Sequence, residues 1–195
     1  MFKGTKTIIC GLACATALTG NAMAGGFSRG TADTDVLFEE GNFVMRSGAL
    51  YVAPQRGYET ISGGATTDGA YTDAYAIPSV AMKLKLHDNL ACAGTYTDSF
   101  GASATYGPNA IAIGAAADGT GTVSEGFTSS EFGLTCGAHF DMGKGRVWIL
   151  GGGFLQDFNY SQTVQVLPLG LTEATLSFND EFRPGYPIGA AYEIP

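Results

Sequence analysis

The feature that most constrains the fold is a two-residue alternation in residues 79–100, SVAMKLKLHDNLACAGTYTDSF. In its first half, Val80, Met82, Leu84 and Leu86 alternate with Ala81, Lys83, Lys85 and His87. A period of two is that of a β-strand, whereas a helix would scatter the lysines among the leucines. Asp88 and Asn89 favour a tight turn. A return strand then places Leu90, Cys92, Tyr96 and Phe100 on one face, with Ala91, Ala93, Thr95, Thr97 and Ser99 on the other. The stretch therefore predicts a long hairpin with one apolar and one polar face.

The amino terminus has the three parts of a secretory signal. Lys3 and Lys6 precede an uncharged run over residues 7–18, and Ala22-Met23-Ala24 supplies small residues for cleavage before Gly25. The apolar run is shorter than the roughly 20 residues that a membrane-spanning helix needs. Residues 1–24 hold two lysines and no acidic residue, so their removal takes the formal charge from −8 to −10.

Charge and hydropathy exclude several classes of protein. A chain this acidic lacks the basic surface that nucleic-acid binding requires. After residue 24 no apolar run is long enough for a transmembrane helix. If the mature chain crosses a membrane, it must therefore cross it with strands.

Further alternating segments cover much of the mature chain. Residues 42–54 form a first strand, residues 130–141 and 146–160 flank a short turn, and the alternation resumes from Ala174. Long loops are predicted at residues 55–75, 101–129 and about 161–170. Short turns alternating with long loops are typical of outer-membrane barrels. Seven aromatic residues near strand ends would form the interfacial girdles: Tyr51, Phe100, Phe140, Trp148, Phe158, Tyr160 and Tyr192.

These segments predict an all-β fold, a transmembrane antiparallel β-barrel with about six strands in residues 42–195. Residues 1–24 would be the signal peptide and residues 25–41 an amino-terminal hatch. Six strands are fewer than the eight or so of the smallest bacterial barrels. We therefore expect this to be a truncated part of a longer barrel, and a soluble β-sandwich is the alternative fold.

No residue pattern indicates catalysis, a metal site or a cofactor. His87 and His139 lie on polar strand faces, without a nucleophile motif or a cluster of ligands. The acidic residues Asp33, Asp35, Glu39 and Glu40 could bind a cation, but a solvated stretch is favoured. Lys83 and Lys85 could attract a carboxylate or pair with acidic neighbours. Cys92 and Cys136 could pair only if neighbouring strands bring them into register, and two unpaired cysteines are favoured.

Four segments resemble the long-chain fatty acid transporters of Gram-negative outer membranes. They are Gly25-Gly26-Phe27, residues 48–54 (GALYVAP), residues 93–102 (AGTYTDSFGA) and the closing GAAYEIP. The resemblance implies a barrel of about fourteen strands with a plugged lumen, of which this chain would be roughly half. It departs from the family at residues 34–37, where TDVL replaces the usual Asn-Pro-Ala of the hatch.

The resemblance also implies a function and a set of residues. Hydrophobic solutes would enter an internal pocket and leave sideways through a kink in the third strand, passively and without enzymatic activity. Gly26 and Phe27 would lie in the pocket region, and Phe100, Gly101 and Ala102 at the kink. The implied partners are long-chain fatty acids or other hydrophobic small molecules, outer-membrane lipid and the barrel assembly machinery. Alternative functions are a general porin for polar solutes, or a surface or secreted β-protein without transport activity.

Overall fold

A computed structural model describes residues 27–61, 64–65, 67–166 and 172–194. The proposed signal peptide, Gly25 and Gly26 lie outside this part of the chain. A 3-10 helix spans Thr34–Phe38. The strands and the helix that follow are β1 (Phe43–Val52), β2 (Thr60–Ile61), β3 (Gly64–Ala65), β4 (Tyr75–His87), β5 (Leu90–Thr105), α1 (Pro108–Asp118), β6 (Thr120–Met142), β7 (Gly145–Val166), β8 (Thr172–Gly185) and β9 (Ile188–Glu193).

One antiparallel sheet contains nearly all of the strands, in the order β1-β4-β5-β6-β7-β8. β8 pairs with residues 154–166 of β7 and β9 pairs with residues 146–151, so β8 and β9 lie along one edge of β7. The described sheet therefore has seven strands, and the prediction of an all-β antiparallel fold is confirmed. The sheet is not closed: β1 lies at one edge, and β8 with β9 at the other.

The outer face of the sheet, defined here as the face turned away from residues 27–42, carries large apolar side chains in contact with solvent. Leu84 is 52% exposed and Leu134 is 58% exposed. Other exposed members of this face are Phe43, Met45, Tyr51, Met82, Phe132, Phe140, Ile149, Leu155, Ile188 and Tyr192. In the described chain the other sheet is only the small β2–β3 hairpin. No second layer of the described chain covers this apolar face, as a β-sandwich would require.

The inner face is lined by small and polar residues, and the amino-terminal segment covers it. Val36 and Leu37 of the 3-10 helix are fully buried. They pack against three alanines of β4 and β5, which are Ala81, Ala91 and Ala93. Alanine leaves room for the segment to lie close to the sheet, so at this contact the strands bury small side chains while the large side chains of the opposite face are exposed.

The sequence predicts correctly which side chains of β4 and of the first half of β5 share a face. It wrongly places the aromatic face of β7 on the outside of the sheet. Trp148 is buried on the inner face, with its ring edge-to-face on Phe38 at 5.2 Å. Phe158 and Tyr160 share that inner face and line internal cavities instead of the outer surface. A period of two groups residues by face but does not say which face is inside, and here the more aromatic face of β7 is the inner one.

A β-bulge in β5 changes the side on which Phe100 lies. Asp98 pairs with Ser130 and Phe100 with Ser129, so Ser99 is an extra residue in this strand. One inserted residue exchanges the two faces beyond it. Phe100 therefore lies opposite the buried Ser129 on the inner face, not with Leu90 and Cys92 on the outer face as the alternation predicts.

Residues 101–129 are more regular than the predicted long loop. β5 continues to Thr105, α1 follows, and β6 begins at Thr120. Residues 161–166 also extend β7 beyond its predicted end. The Gly, Ala, Thr and Ser composition that indicated loops is compatible with strands here, because the residues pair with long neighbouring strands.

Cys92 and Cys136 are directly opposite each other in the β5–β6 pair and form a disulfide. The preference for unpaired cysteines is therefore wrong. The alternation placed each cysteine on the correct face, but the register that brings together two cysteines 44 residues apart could not be read from either strand alone.

Replacement of Cys92 and Cys136 by alanine should destabilise the protein. Closing a loop of 44 residues stabilises a fold by about 4 kcal/mol in the chain-entropy model. We expect the double variant to unfold at lower denaturant concentration than the oxidised protein. Reductant should shift the unfolding midpoint of the wild type, measured by gel mobility of the folded form, and leave the double variant unchanged. Equal midpoints for the oxidised protein and the variant would contradict this role.

Candidate functional site

Pairing between β4 and β5 stops partway along the two strands. It runs from His87 and Leu90 at the turn to Ser79 and Thr97. Beyond that point β4 continues to pair with β1, while β5 runs on to Thr105 beside β6. A break therefore opens in the sheet between the far ends of β4 and β5, next to the bulge at Ser99.

The amino-terminal segment occupies this break as a short substitute strand. Gly101 N–H donates to the Phe27 carbonyl at 2.9 Å. In return, Arg29 N–H donates to the Ser99 carbonyl and Gly30 N–H to the Asp98 carbonyl, each at 2.9 Å. These three hydrogen bonds satisfy backbone groups of β5 that β4 leaves unpaired.

An aromatic cleft of about 440 Å³ lies beside the break. Its lining includes Phe27, Gly101 and Ala102, together with Tyr71, Tyr75, Tyr106, Phe127 and Tyr160. A neighbouring cavity of about 380 Å³ shares Phe27 and Phe127 and adds Phe100 and Phe158. Ligand pockets in proteins have volumes of roughly 300–1,000 Å³ and mainly apolar linings with a few polar groups. The volume of the cleft and its largely aromatic lining match this description.

Ring contacts hold the aromatic walls of the cleft in place. Phe27 meets Phe127 edge-to-face at 5.2 Å, and Phe127 stacks on Phe158 at 5.6 Å. Such pairs add about 0.5–1.5 kcal/mol beyond the buried area. Phe27 is thus fixed by the inner face of β6, although more than half of its surface remains exposed.

A stack of three tyrosines forms the opposite wall. Tyr58 stacks on Tyr71 at 4.8 Å, and Tyr71 stacks on Tyr106 at 5.7 Å. The Tyr106 hydroxyl donates to Glu125 Oε1 at 2.5 Å. Burial and the Glu125 carboxylate raise the pKa of Tyr106 above its ordinary value. This hydrogen bond satisfies a polar group inside an otherwise apolar wall.

Asp68 anchors α1 beside this wall. Its carboxylate accepts the backbone N–H groups of Asn109 at 3.1 Å and Ala110 at 2.8 Å, in the first turn of the helix. Desolvation opposes the charged form, but these hydrogen bonds outweigh it and lower the pKa of Asp68. Gly107 leaves the space that Asp68 needs, since a Cβ there would lie 2.5 Å from Asp68 Cβ.

The Arg29 side chain packs against two residues that line the cleft, Tyr75 and Gly101, without lining it itself. Its Cζ is 4.0 Å from the centre of the Tyr75 ring, and a Cβ on Gly101 would lie 2.5 Å from the same atom. Gly101 is therefore the residue whose missing side chain makes room for the guanidinium.

Ion pairs and hydrogen bonds hold the amino-terminal segment at the other end of the sheet. Arg46 Nη1 contacts Asp33 at 3.0 Å, and Arg46 also pairs with Glu39. The buried Lys83 Nζ donates to the Glu39 carbonyl, and Lys85 pairs with Asp88 at 2.9 Å. Asp33 and Glu39 therefore pair with Arg46, while Asp35, Glu39 and Glu40 are exposed, as expected for a solvated acidic stretch.

The residues named from the resemblance lie together where the structure describes them. Phe27, Phe100, Gly101 and Ala102 border the cleft and its neighbouring cavity, whereas Gly26 lies outside the described residues. Sequence reasoning missed Arg29, the tyrosine stack and Phe127. Phe127 fell in a presumed loop, and the tyrosines come from separate connections, so no periodic pattern linked them.

The described residues contain no group of three or more His, Cys, Asp or Glu side chains that could hold a metal ion. His139 instead contacts the Asp88 carbonyl through Nε2 at 3.0 Å and packs on Trp148. Among the described helices, none has the length and apolar character of a membrane span.

Comparison with known protein families, with curated proteins and with solved structures gave no match to this chain. The case for a function therefore depends on the geometry of the sheet and the cleft.

The cap at Asp68 should make α1 sensitive to acid. A carboxylate with a lowered pKa stabilises the folded state above the usual pKa of about 3.9 and loses this effect as pH falls through the lowered value. We expect the amides of Asn109 and Ala110 to lose protection from hydrogen exchange progressively below about pH 5, with the loss continuing past pH 3.9 toward the lowered pKa.

An Asp68→Asn variant is the matched control. It keeps an oxygen acceptor without the charge, so its protection at these amides should be weaker at pH 5 and nearly independent of pH below that. Unchanged protection in the wild type at pH 3, after correction for intrinsic exchange, would contradict the role of the carboxylate.

Proposed function

We propose that this chain forms part of an outer-membrane β-barrel that transports long-chain fatty acids or other hydrophobic solutes passively. The observation that carries the proposal is the distribution of side chains on the sheet: large apolar side chains are exposed on its outer face, while the buried residues of its inner face are mainly alanine, threonine and serine, with Ile77, Lys83 and Trp148. Lipid is the solvent that such an outer face suits, since strands in a barrel are apolar outside and polar inside. Large unburied apolar patches in water would instead promote aggregation.

Strand length is compatible with this placement. β6 has 23 residues and β7 has 22, whereas about 9–11 tilted residues cross the hydrocarbon core. The excess carries the strands past the membrane on the side of α1 and the β2–β3 hairpin. The disulfide adds support for export, because disulfides persist in oxidising compartments such as the periplasm.

The cleft and the break support a hydrophobic solute and a lateral route. An apolar tail gains about 0.8 kcal/mol for each methylene removed from water, and the aromatic cleft offers such a surface. The break between β4 and β5 is filled by three backbone hydrogen bonds from the amino-terminal segment instead of a continuous ladder. In this proposal, displacement of residues 27–30 opens a path from the cleft into the membrane. A general porin accounts less well for an inner face packed against Val36 and Leu37.

Cell fractionation tests the location, and uptake tests the transport. Cells producing the full-length protein should carry it in the outer-membrane fraction, extractable only with detergent, and should take up labelled palmitate faster than cells without it. Recovery as a soluble periplasmic protein would contradict the membrane placement. Outer-membrane recovery with sugar conductance and unchanged palmitate uptake would favour a porin.

Substitution of Gly101 by valine in the full-length protein should reduce fatty acid uptake severalfold while the protein still assembles. A side chain there displaces the Arg29 guanidinium, which is the flexible end of a side chain, so the sheet itself can remain intact. Uptake of labelled palmitate is the measurement, and heat-modifiable gel mobility reports assembly.

Gly94→Val is the matched control, because Gly94 lies in the same strand and a Cβ there meets nothing within 4 Å. This variant should transport at the wild-type rate. Wild-type uptake by Gly101→Val would contradict the assignment of the route to the break.

A further inference from the structure

Arg56 lines the aromatic cleft and is exposed, and its guanidinium forms no ion pair or hydrogen bond with any described residue. Its backbone is engaged, since the N–H donates to Thr72 Oγ1 at 3.2 Å and the carbonyl accepts the Tyr71 N–H at 2.8 Å. Other basic residues of the described chain do have anionic partners: Arg46, Lys85, Arg146 and Arg183. The guanidinium of Arg56 is therefore available to an anion that enters the cleft.

The hydrogen bonds beside β5 place Arg56 at a distance from the break. Residues 27–30 flank β5 at residues 98–101, and residues 71–73 flank the same side of β5 at residues 103–105. Arg56 lies one strand position further out, next to residues 71–73. The two flanking segments are centred at least three residues apart along β5, which corresponds to about 10 Å. The cleft therefore extends from the segment in the break to Arg56.

The lining of the cleft changes from polar to apolar along this direction. Beside Arg56 lie the Thr72 hydroxyl and the Asp73 carboxylate. Four phenylalanines surround the other end, where the cleft adjoins the neighbouring cavity: Phe27, Phe100, Phe127 and Phe158. Apolar linings with a few placed polar groups are what fixes the orientation of a bound small molecule. An amphiphile therefore fits this cleft with its head group at Arg56 and its tail on the phenylalanines.

Two carboxylates also line the cleft, and each already accepts a hydrogen bond. Asp73 accepts the Thr105 hydroxyl at 3.3 Å, and Glu125 accepts the Tyr106 hydroxyl at 2.5 Å. Glu125 lies on β6, three strand positions from Arg56, which separates the two backbones by about 14 Å. The attraction of an anion to Arg56 at contact distance exceeds its repulsion by more distant carboxylates, because the interaction energy falls with distance.

We propose that Arg56 binds the carboxylate head group of a single-tailed amphiphile whose tail points toward Phe27 and the break between β4 and β5. This inference rests on the proposed function, and it adds the residue that recognises the head group and the orientation of the solute. A guanidinium suits this role because its planar fork can donate two parallel hydrogen bonds to one carboxylate. With this orientation the solute meets the break with its tail first.

Calorimetric titration of the full-length protein in nonionic detergent tests the inference. Dodecanoate, dodecanol and dodecyltrimethylammonium share one tail and differ in the charge of the head group. At a pH well above the carboxyl pKa, the wild type should bind dodecanoate most tightly. Arg56→Gln should weaken dodecanoate binding about fivefold, the upper range for a solvent-exposed ion pair, and change dodecanol binding by less than about twofold. Arg56→Lys should recover part of the loss, because it keeps the charge without the planar fork.

Phe27→Ala tests the orientation and Arg146→Gln is the matched control. Phe27→Ala should weaken dodecanoate and dodecanol equally, because both lose the same contact with the tail. Arg146→Gln removes the same charge at the opposite end of the sheet, many Debye lengths away, and should leave dodecanoate binding unchanged.

Four results would overturn the head-group assignment: tighter binding of dodecyltrimethylammonium than of dodecanoate, an equal loss of dodecanoate and dodecanol in Arg56→Gln, dodecanoate binding that does not depend on Arg56, or a loss in Arg146→Gln equal to that in Arg56→Gln. A loss confined to dodecanoate in Phe27→Ala would overturn the orientation. If the wild type binds neither dodecanoate nor dodecanol, the proposed function itself fails, whereas binding of both without dependence on Arg56 contradicts only the present inference.

Discussion

The structure depends on one constraint, the packing of the amino-terminal segment against a sheet face made of small residues. Val36 and Leu37 are fully buried because Ala81, Ala91 and Ala93 leave them room. With this part of the inner face covered, the large side chains of β4 such as Met82 and Leu84 point outward, where no described element covers them. The same segment then continues to the break, so a single stretch of chain fills the interior and completes the sheet.

Two kinds of contact hold that segment, and they differ in strength and setting. Near the 3-10 helix the contacts are apolar packing, ion pairs to Arg46 and a hydrogen bond from Lys83 to the Glu39 carbonyl. Near the break they are three backbone hydrogen bonds, a ring contact of Phe27 and the stacking of Arg29 on Tyr75. The first set includes the fully buried side chains of Val36 and Leu37, whereas the second leaves Phe27 mostly exposed. The end at the break is thus the one that a ligand could displace while the rest stays in place.

Much of the strand pattern could be predicted from the sequence, because a period of two is a local property. It gave the β4–β5 hairpin and the faces of β6 between Phe132 and Phe140. The predictions that were wrong concern features that depend on contacts with other parts of the chain. Trp148 lies on the inner face because it packs against Phe38. Phe100 lies there because one residue is inserted in β5, and the Cys92–Cys136 disulfide forms because the register of β5 and β6 places the two cysteines opposite each other. The cleft was only partly foreseen, since its tyrosines come from connections without a period.

The bulge at Ser99 has a consequence for how such a sheet can change over time. Insertion or deletion of one residue within a strand moves every later side chain between the solvent-facing surface and the interior without altering its identity. Here that single extra residue supplies the cleft with Phe100 and coincides with the end of the β4–β5 ladder. Insertion of a single residue can thus create a pocket and an opening in the sheet together, with almost no change in the amino-acid composition of the strand.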